Sequence, residues 1–98
     1  MERFRKTFNG TVVSSLGYRV RVLDPSRVEY RSRRGTSQIV DASVWAQCSP
    51  VIDIFVDAIV EDEDVPRDIV IQRIVSALQV QKWKVNLKGY PGRPRAFT

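Results

Sequence analysis

The chain is 98 residues long, 43% hydrophobic and 28% charged, with sixteen Lys and Arg against eleven Asp and Glu and a formal net charge of +5. That suits one small domain, without a membrane helix, since the longest apolar stretch, Val51 to Val60, is interrupted by Asp53 and Asp57. Histidine is absent and Cys48 is the single cysteine, which removes the usual zinc sites, an imidazole base for a thiol nucleophile, and an internal disulfide.

The charges are sorted along the chain. Residues 1–40 carry nine Arg and Lys against three acids, residues 41–68 carry eight acids against one Arg, and residues 69–98 carry six Arg and Lys with no acid. Twelve of the basic residues are Arg, whose planar fork matches carboxylate or phosphate in a way that Lys does not; a high-GC genome offers a plainer reason for the same bias. Two basic regions flanking an acidic one suit oriented docking on a partner. The amino terminus, Met1-Glu2-Arg3-Phe4-Arg5-Lys6, has charges with no apolar run behind it, so no signal peptide is expected. With a lone cysteine, this leads to a cytoplasmic expectation.

Taken in order, Thr11-Val12-Val13 supplies a strand before Gly17. Tyr18-Arg19-Val20-Arg21-Val22 alternates apolar and basic with period two, the pattern of a half-buried strand. Asp24-Pro25-Ser26 is a turn, and Val28-Glu29-Tyr30-Arg31 alternates again, giving a hairpin. One face of that hairpin collects Tyr18, Val20, Val22, Val28 and Tyr30. The other receives Arg19, Arg21, Arg27, Arg31 and Arg33, relieved by Glu29. Arg34-Gly35 marks a turn, and Ser37 to Asp41 a third strand in the meander.

Val51 to Val60 reads two ways. Six of its residues are β-branched, and Ile52, Ile54, Val56, Ala58 and Val60 share one strand face. A helix would instead start at Ser49-Pro50 and repeat Asp53, Asp57 and Glu61 every four residues. The strand is the preferred reading. Next, Glu61-Asp62-Glu63-Asp64 precedes Pro66, where negative charge favours a helix start. Val70, Ile71, Ile74, Val75, Ala77 and Leu78 then form a stripe at helical spacing, with Arg67, Asp68, Gln72, Arg73, Ser76 and Gln79 on the other side. Trp83 to Lys88 alternates as a closing strand. From Gly89 onward, Gly and Pro suit neither helix nor ladder, so residues 89–98 are expected to be a flexible basic tail on a domain spanning 1–88. The expected fold is α+β: an antiparallel sheet of about five or six strands with one principal helix, residues 66–81, packed on its apolar face.

No phosphate-binding loop, dinucleotide fingerprint or nucleophile elbow is present. Asp53 and Asp57 lack the acid-x-Lys partner of a metal nuclease, and Glu61 to Asp64 lacks the spacing of a calcium loop. The expectation is therefore no cofactor, no metal and no catalysis. Cys48 reads as a small hydrophobe near a turn. Nucleic-acid binding is the alternative, using the Arg-rich strand face and the basic tail, with Tyr18, Tyr30, Trp45 or Trp83 to stack on bases. Against it, Tyr18, Tyr30 and Trp83 belong to apolar faces, no RNA-recognition signature occurs, and the acidic block repels a polyanion.

A second class is a protein-binding module. Its candidate contact residues are Arg19, Arg21, Arg31 and Arg33 on the sheet face, or Asp53, Asp57, Glu61, Asp62 and Glu63 on the acidic side. The order of elements across residues 10–88 (basic β-meander, Trp45, a strand, a Pro66-started helix, a closing Trp83 strand) resembles the small α+β immunity proteins of bacterial toxin–immunity systems. That resemblance implies stoichiometric neutralisation of a toxin encoded nearby, with no site residue transferred. The net positive charge departs from the acidic character common among nuclease inhibitors.

Overall fold

The computed structural model describes residues 2–7, 9–46 and 50–89. Residues 90–98 of the expected basic tail (89–98) and Cys48 lie outside them. Seven strands form one sheet in sequence order: β1 (Phe4–Lys6), β2 (Val12–Ser14), β3 (Arg19–Asp24), β4 (Arg27–Arg31), β5 (Ser37–Ala46), β6 (Pro50–Phe55) and β7 (Lys84–Lys88). A 3-10 turn, Val56–Ala58, and the helix α1, Arg67–Val80, join β6 to β7. The fold is α+β, with one helix against a sheet that is antiparallel at every step but the last.

Two expectations change. The sheet has seven strands rather than five or six, because β1 adds a short edge; β5 also continues past Asp41. The closing strand is parallel to β6, with Ile52 opposite Val85 and Ile54 opposite Leu87. A parallel pair requires a long crossover, and the turn and helix between Phe55 and Lys84 provide it. The strand reading of the ambiguous segment holds as far as Phe55; Val56, Ala58 and Val60 leave the strand face for the 3-10 turn and the loop after it.

Strand β5 serves its two neighbours with successive halves. Ser37 to Asp41 pairs with β4, and Ala42 to Ala46 pairs with β6. Beyond the end of β4, the turn between β3 and β4 takes over: the Ser26 and Pro25 carbonyls accept the Ala42 and Val44 N–H groups at 2.9 and 3.0 Å. This hand-over bends the sheet around α1 while the N–H groups of Ala42 and Val44 keep backbone partners.

The period-two residues sort as their alternation requires. Val12, Tyr18, Val20, Val28, Tyr30, Val40, Ile52 and Ile54 are buried on the inner face against Val70, Ile74, Ala77 and Leu78 of α1. Each buried aliphatic side chain contributes about 1.5–3 kcal/mol relative to exposure. Pro66 stands at the N-cap of α1, and its missing N–H costs nothing there. At the other end the Lys82 and Trp83 N–H groups reach the Gln79 and Leu78 carbonyls at 2.9 and 3.2 Å. That is a Schellman closure, with Lys82 rather than glycine at its left-handed position, φ +71°.

Candidate functional site

The acidic loop before α1 is spent largely on internal bonds. Asp62 Oδ1 accepts the backbone N–H groups of Asp64 and Val65 at 2.7 and 2.8 Å, and its Oδ2 accepts the Tyr30 hydroxyl at 2.5 Å. Glu63 accepts the Ser32 hydroxyl. Asp64 lies 3.5 Å from Arg33 Nε and 3.4 Å from Arg34 Nε. The loop therefore clamps the β4–β5 turn. Burial pushes the Asp62 carboxyl up, but the Tyr30 hydroxyl, the two N–H groups and Arg73 outweigh it and hold it below the ordinary range. The Ser32 hydroxyl lowers Glu63 likewise.

Arg73 completes the clamp from the helix. Its Nη1 donates to the Tyr30 hydroxyl at 3.1 Å and lies 3.6 Å from Asp62 Oδ2. Its guanidinium also sits 4.7 Å from the centroid of the Tyr18 ring, which stacks on Tyr30 at 5.8 Å. Glu2 closes the far side, accepting the hydroxyls of Tyr18 and Ser14. Burial, with the neighbouring carboxylates, pushes Tyr30 up to about 12 and Tyr18 higher still. Arg73 was expected on the polar side of α1; the helix period places its Cα there, but its long side chain turns back over the two rings. Arg67 behaves similarly, donating to the Ile59 and Val56 carbonyls at 2.9 and 2.6 Å.

The opposite face of the sheet is uncovered by α1. Strand register aligns a row across it: Arg5 opposite Val13, Val13 opposite Arg19, Arg19 opposite Arg31, Arg31 opposite Ser37. Arg21 faces Glu29 one row along. All four of these arginines are exposed. Two adjoining clefts follow the row, of about 190 and 260 Å³, and among the described residues Glu29 is the one acid lining them.

Farther along the same face, Trp45 is 54% exposed, yet its indole is held: Nε1 donates to Asp53 Oδ2 at 3.0 Å. Asp53 Oδ1 accepts Asn86 Nδ2 at 3.2 Å, so one buried carboxylate ties β5, β6 and β7 together beneath the ring. Ile39 is also exposed on this face.

The structure thus divides the expected contact residues. Arg19, Arg21 and Arg31 stand together on the open face. Arg33 does not join them: its stem passes Gly17, where a Cβ would meet Arg33 Cγ at 2.6 Å, and its head goes to Asp64. Asp53 is buried under Trp45 rather than presented to solvent. Asp57 is half-buried in the 3-10 turn and Glu61 is exposed, while Asp62 turns inward to Tyr30 and Glu63, itself exposed, accepts the Ser32 hydroxyl. Arg5 was missed, and Trp45 was expected only as a base-stacking aromatic and not as a protein contact; its outward parity in the Val40, Ala42, Val44 alternation was the available signal.

Among the described residues, no group of three or more His, Cys, Asp or Glu could hold a metal ion, and no helix is long and apolar enough to cross a membrane. Comparison with protein-family models, curated proteins and solved structures finds no match to this chain.

Proposed function

We propose that this chain is a non-catalytic binding module that docks its uncovered sheet face on another protein and neutralises it stoichiometrically, in the manner of small α+β immunity proteins. The observation that carries the reading is the exposed Trp45 indole held by Asp53. An aromatic ring fixed before binding loses little freedom on docking, and Trp with Arg dominates the energetics of protein interfaces. Arg19, Arg21 and Arg31 supply a charged rim, and Glu29 within it gives the mixed charge pattern that a folded partner can match.

The internal bonds of Asp62, Glu63 and Asp64 argue against the acidic loop as the docking surface. Co-expression with the product of the adjacent gene tests the reading. A one-to-one complex that protects cells from that product is expected. Absence of both complex and protection removes the proposal.

Nucleic-acid binding is a second reading, supported by the arginines along the two clefts. It predicts a gel shift that weakens steeply with salt.

A further inference from the structure

The Arg19–Arg31 pair breaks a rule of sheet construction. Like charges directly opposite on adjacent strands destabilise the pair, and these two face each other in register. Internal relief is slight: Glu29 lies 3.7 Å from Arg31, whose own side chain is open to water while that of Glu29 is half-buried. Arg5 continues the row, two strands from Arg19, roughly 10 Å at ordinary strand spacing. At the end of the cleft, Asn9 Oδ1 accepts the Thr7 hydroxyl and the Thr11 N–H, and Asn9 lines the cleft with Arg5 and Arg19. A local cost with little internal compensation, lining a cleft, marks a place built for a ligand.

We propose that the Arg5–Arg19–Arg31 row is a carboxylate-binding site and that it receives an acidic segment of the protein partner, a run of Asp or Glu side chains laid across β1 to β4. This rests on the protein-binding reading. Planar guanidinium forks take carboxylates in bidentate pairs. Alternate side chains of an extended segment recur at roughly 7 Å, a spacing that the flexible arms of the row can span.

A single-stranded nucleic acid fits less well. Its grooves pair a continuous positive track with aromatic stacking platforms. Among the described residues no aromatic lines either cleft, Tyr18 and Tyr30 are buried on the inner face, and Glu29 opposite Arg21 interrupts the positive run.

Fluorescence anisotropy with a labelled oligoglutamate peptide tests the site, with oligothymidylate as the competing probe. The full chain should bind the peptide at low salt, and Arg19→Gln/Arg31→Gln should weaken it about tenfold or more. Arg33→Gln/Arg34→Gln, which alters arginines engaged with Asp64, should leave binding within about twofold. A thermal melt of each variant verifies folding, and the Arg19→Gln/Arg31→Gln chain should melt no lower than the original. No peptide binding, an unchanged affinity in Arg19→Gln/Arg31→Gln, or tighter binding of oligothymidylate would each overturn the proposal. Calorimetry against the adjacent gene product separates this from the wider reading. Full affinity in Arg19→Gln/Arg31→Gln removes the carboxylate site and leaves protein binding intact, whereas no binding by the original chain removes the wider reading.

Discussion

Arg73 places its guanidinium 4.7 Å from the centroid of the Tyr18 ring, joining α1 to the residue that leads into β3. The same group reaches Tyr30 and Asp62, so helix, sheet and acidic loop meet at one side chain. Replacing Arg73 with Met keeps much of the stem but leaves Asp62, 3% exposed, without its cation. The expected loss is about 3 kcal/mol, read as a lower midpoint in urea denaturation with an unchanged slope.

Acid should act on the same clamp. Asp62 and Glu63 are held below the usual carboxylate range, and Asp24 is lowered to about 2 by the Ser26 N–H, Arg27 and the Ser26 hydroxyl. A carboxyl whose folded pKa is depressed contributes its full stability above the unfolded value, 3.8 for Asp, and loses it as pH falls through the folded value. Stability should therefore be flat near neutrality and drop below about pH 4. Asp62→Asn should flatten that drop. Denaturation midpoints followed from pH 6 down to pH 2 provide the measurement.

The open face predicts a gain where most substitutions lose. Arg19→Gln relieves the like-charge pair with Arg31 and should raise stability by roughly 0.2–1 kcal/mol. High salt should shrink the difference, because the repulsion is between exposed charges. Paired thermal melts of the two chains at low and high salt read both effects.

Lys82 offers a second gain. A side chain at φ +71° bears a steric cost that glycine escapes. Lys82→Gly should stabilise the Schellman closure of α1 by about 0.5–1 kcal/mol, net of the added freedom of the unfolded chain. The check is a melting temperature a few degrees higher.

Much of this architecture was legible because period-two and helical patterns report directly on burial. Tyr18, Val20, Val28 and Tyr30 announced the inner face of the hairpin, and Val70, Ile74, Ala77 and Leu78 the stripe of α1. Strand β1 was not, since Phe4-Arg5-Lys6 offers one apolar residue and no alternation to read. The direction of β7 depends on the path of the crossover, which periodicity does not encode. The candidate site was legible on one side only. Register follows from the hairpin, so Arg19, Arg21 and Arg31 could be placed together. The fates of Asp62 and Glu63 depend on Tyr30 and Ser32, more than thirty residues away, and block charge counts carry no information about such pairs. Asp53 likewise reads as an exposed acid until Trp45 and Asn86 are brought to it across two strand pairs.

Protein docking through the open face is tested most directly by isothermal calorimetry of this chain against the product of the adjacent gene, with Trp45→Ala beside it. The account predicts a stoichiometry of one and a loss of about thirtyfold in affinity on removing the indole, equivalent to about 2 kcal/mol. No binding by the original chain, or equal affinity in Trp45→Ala, would contradict it.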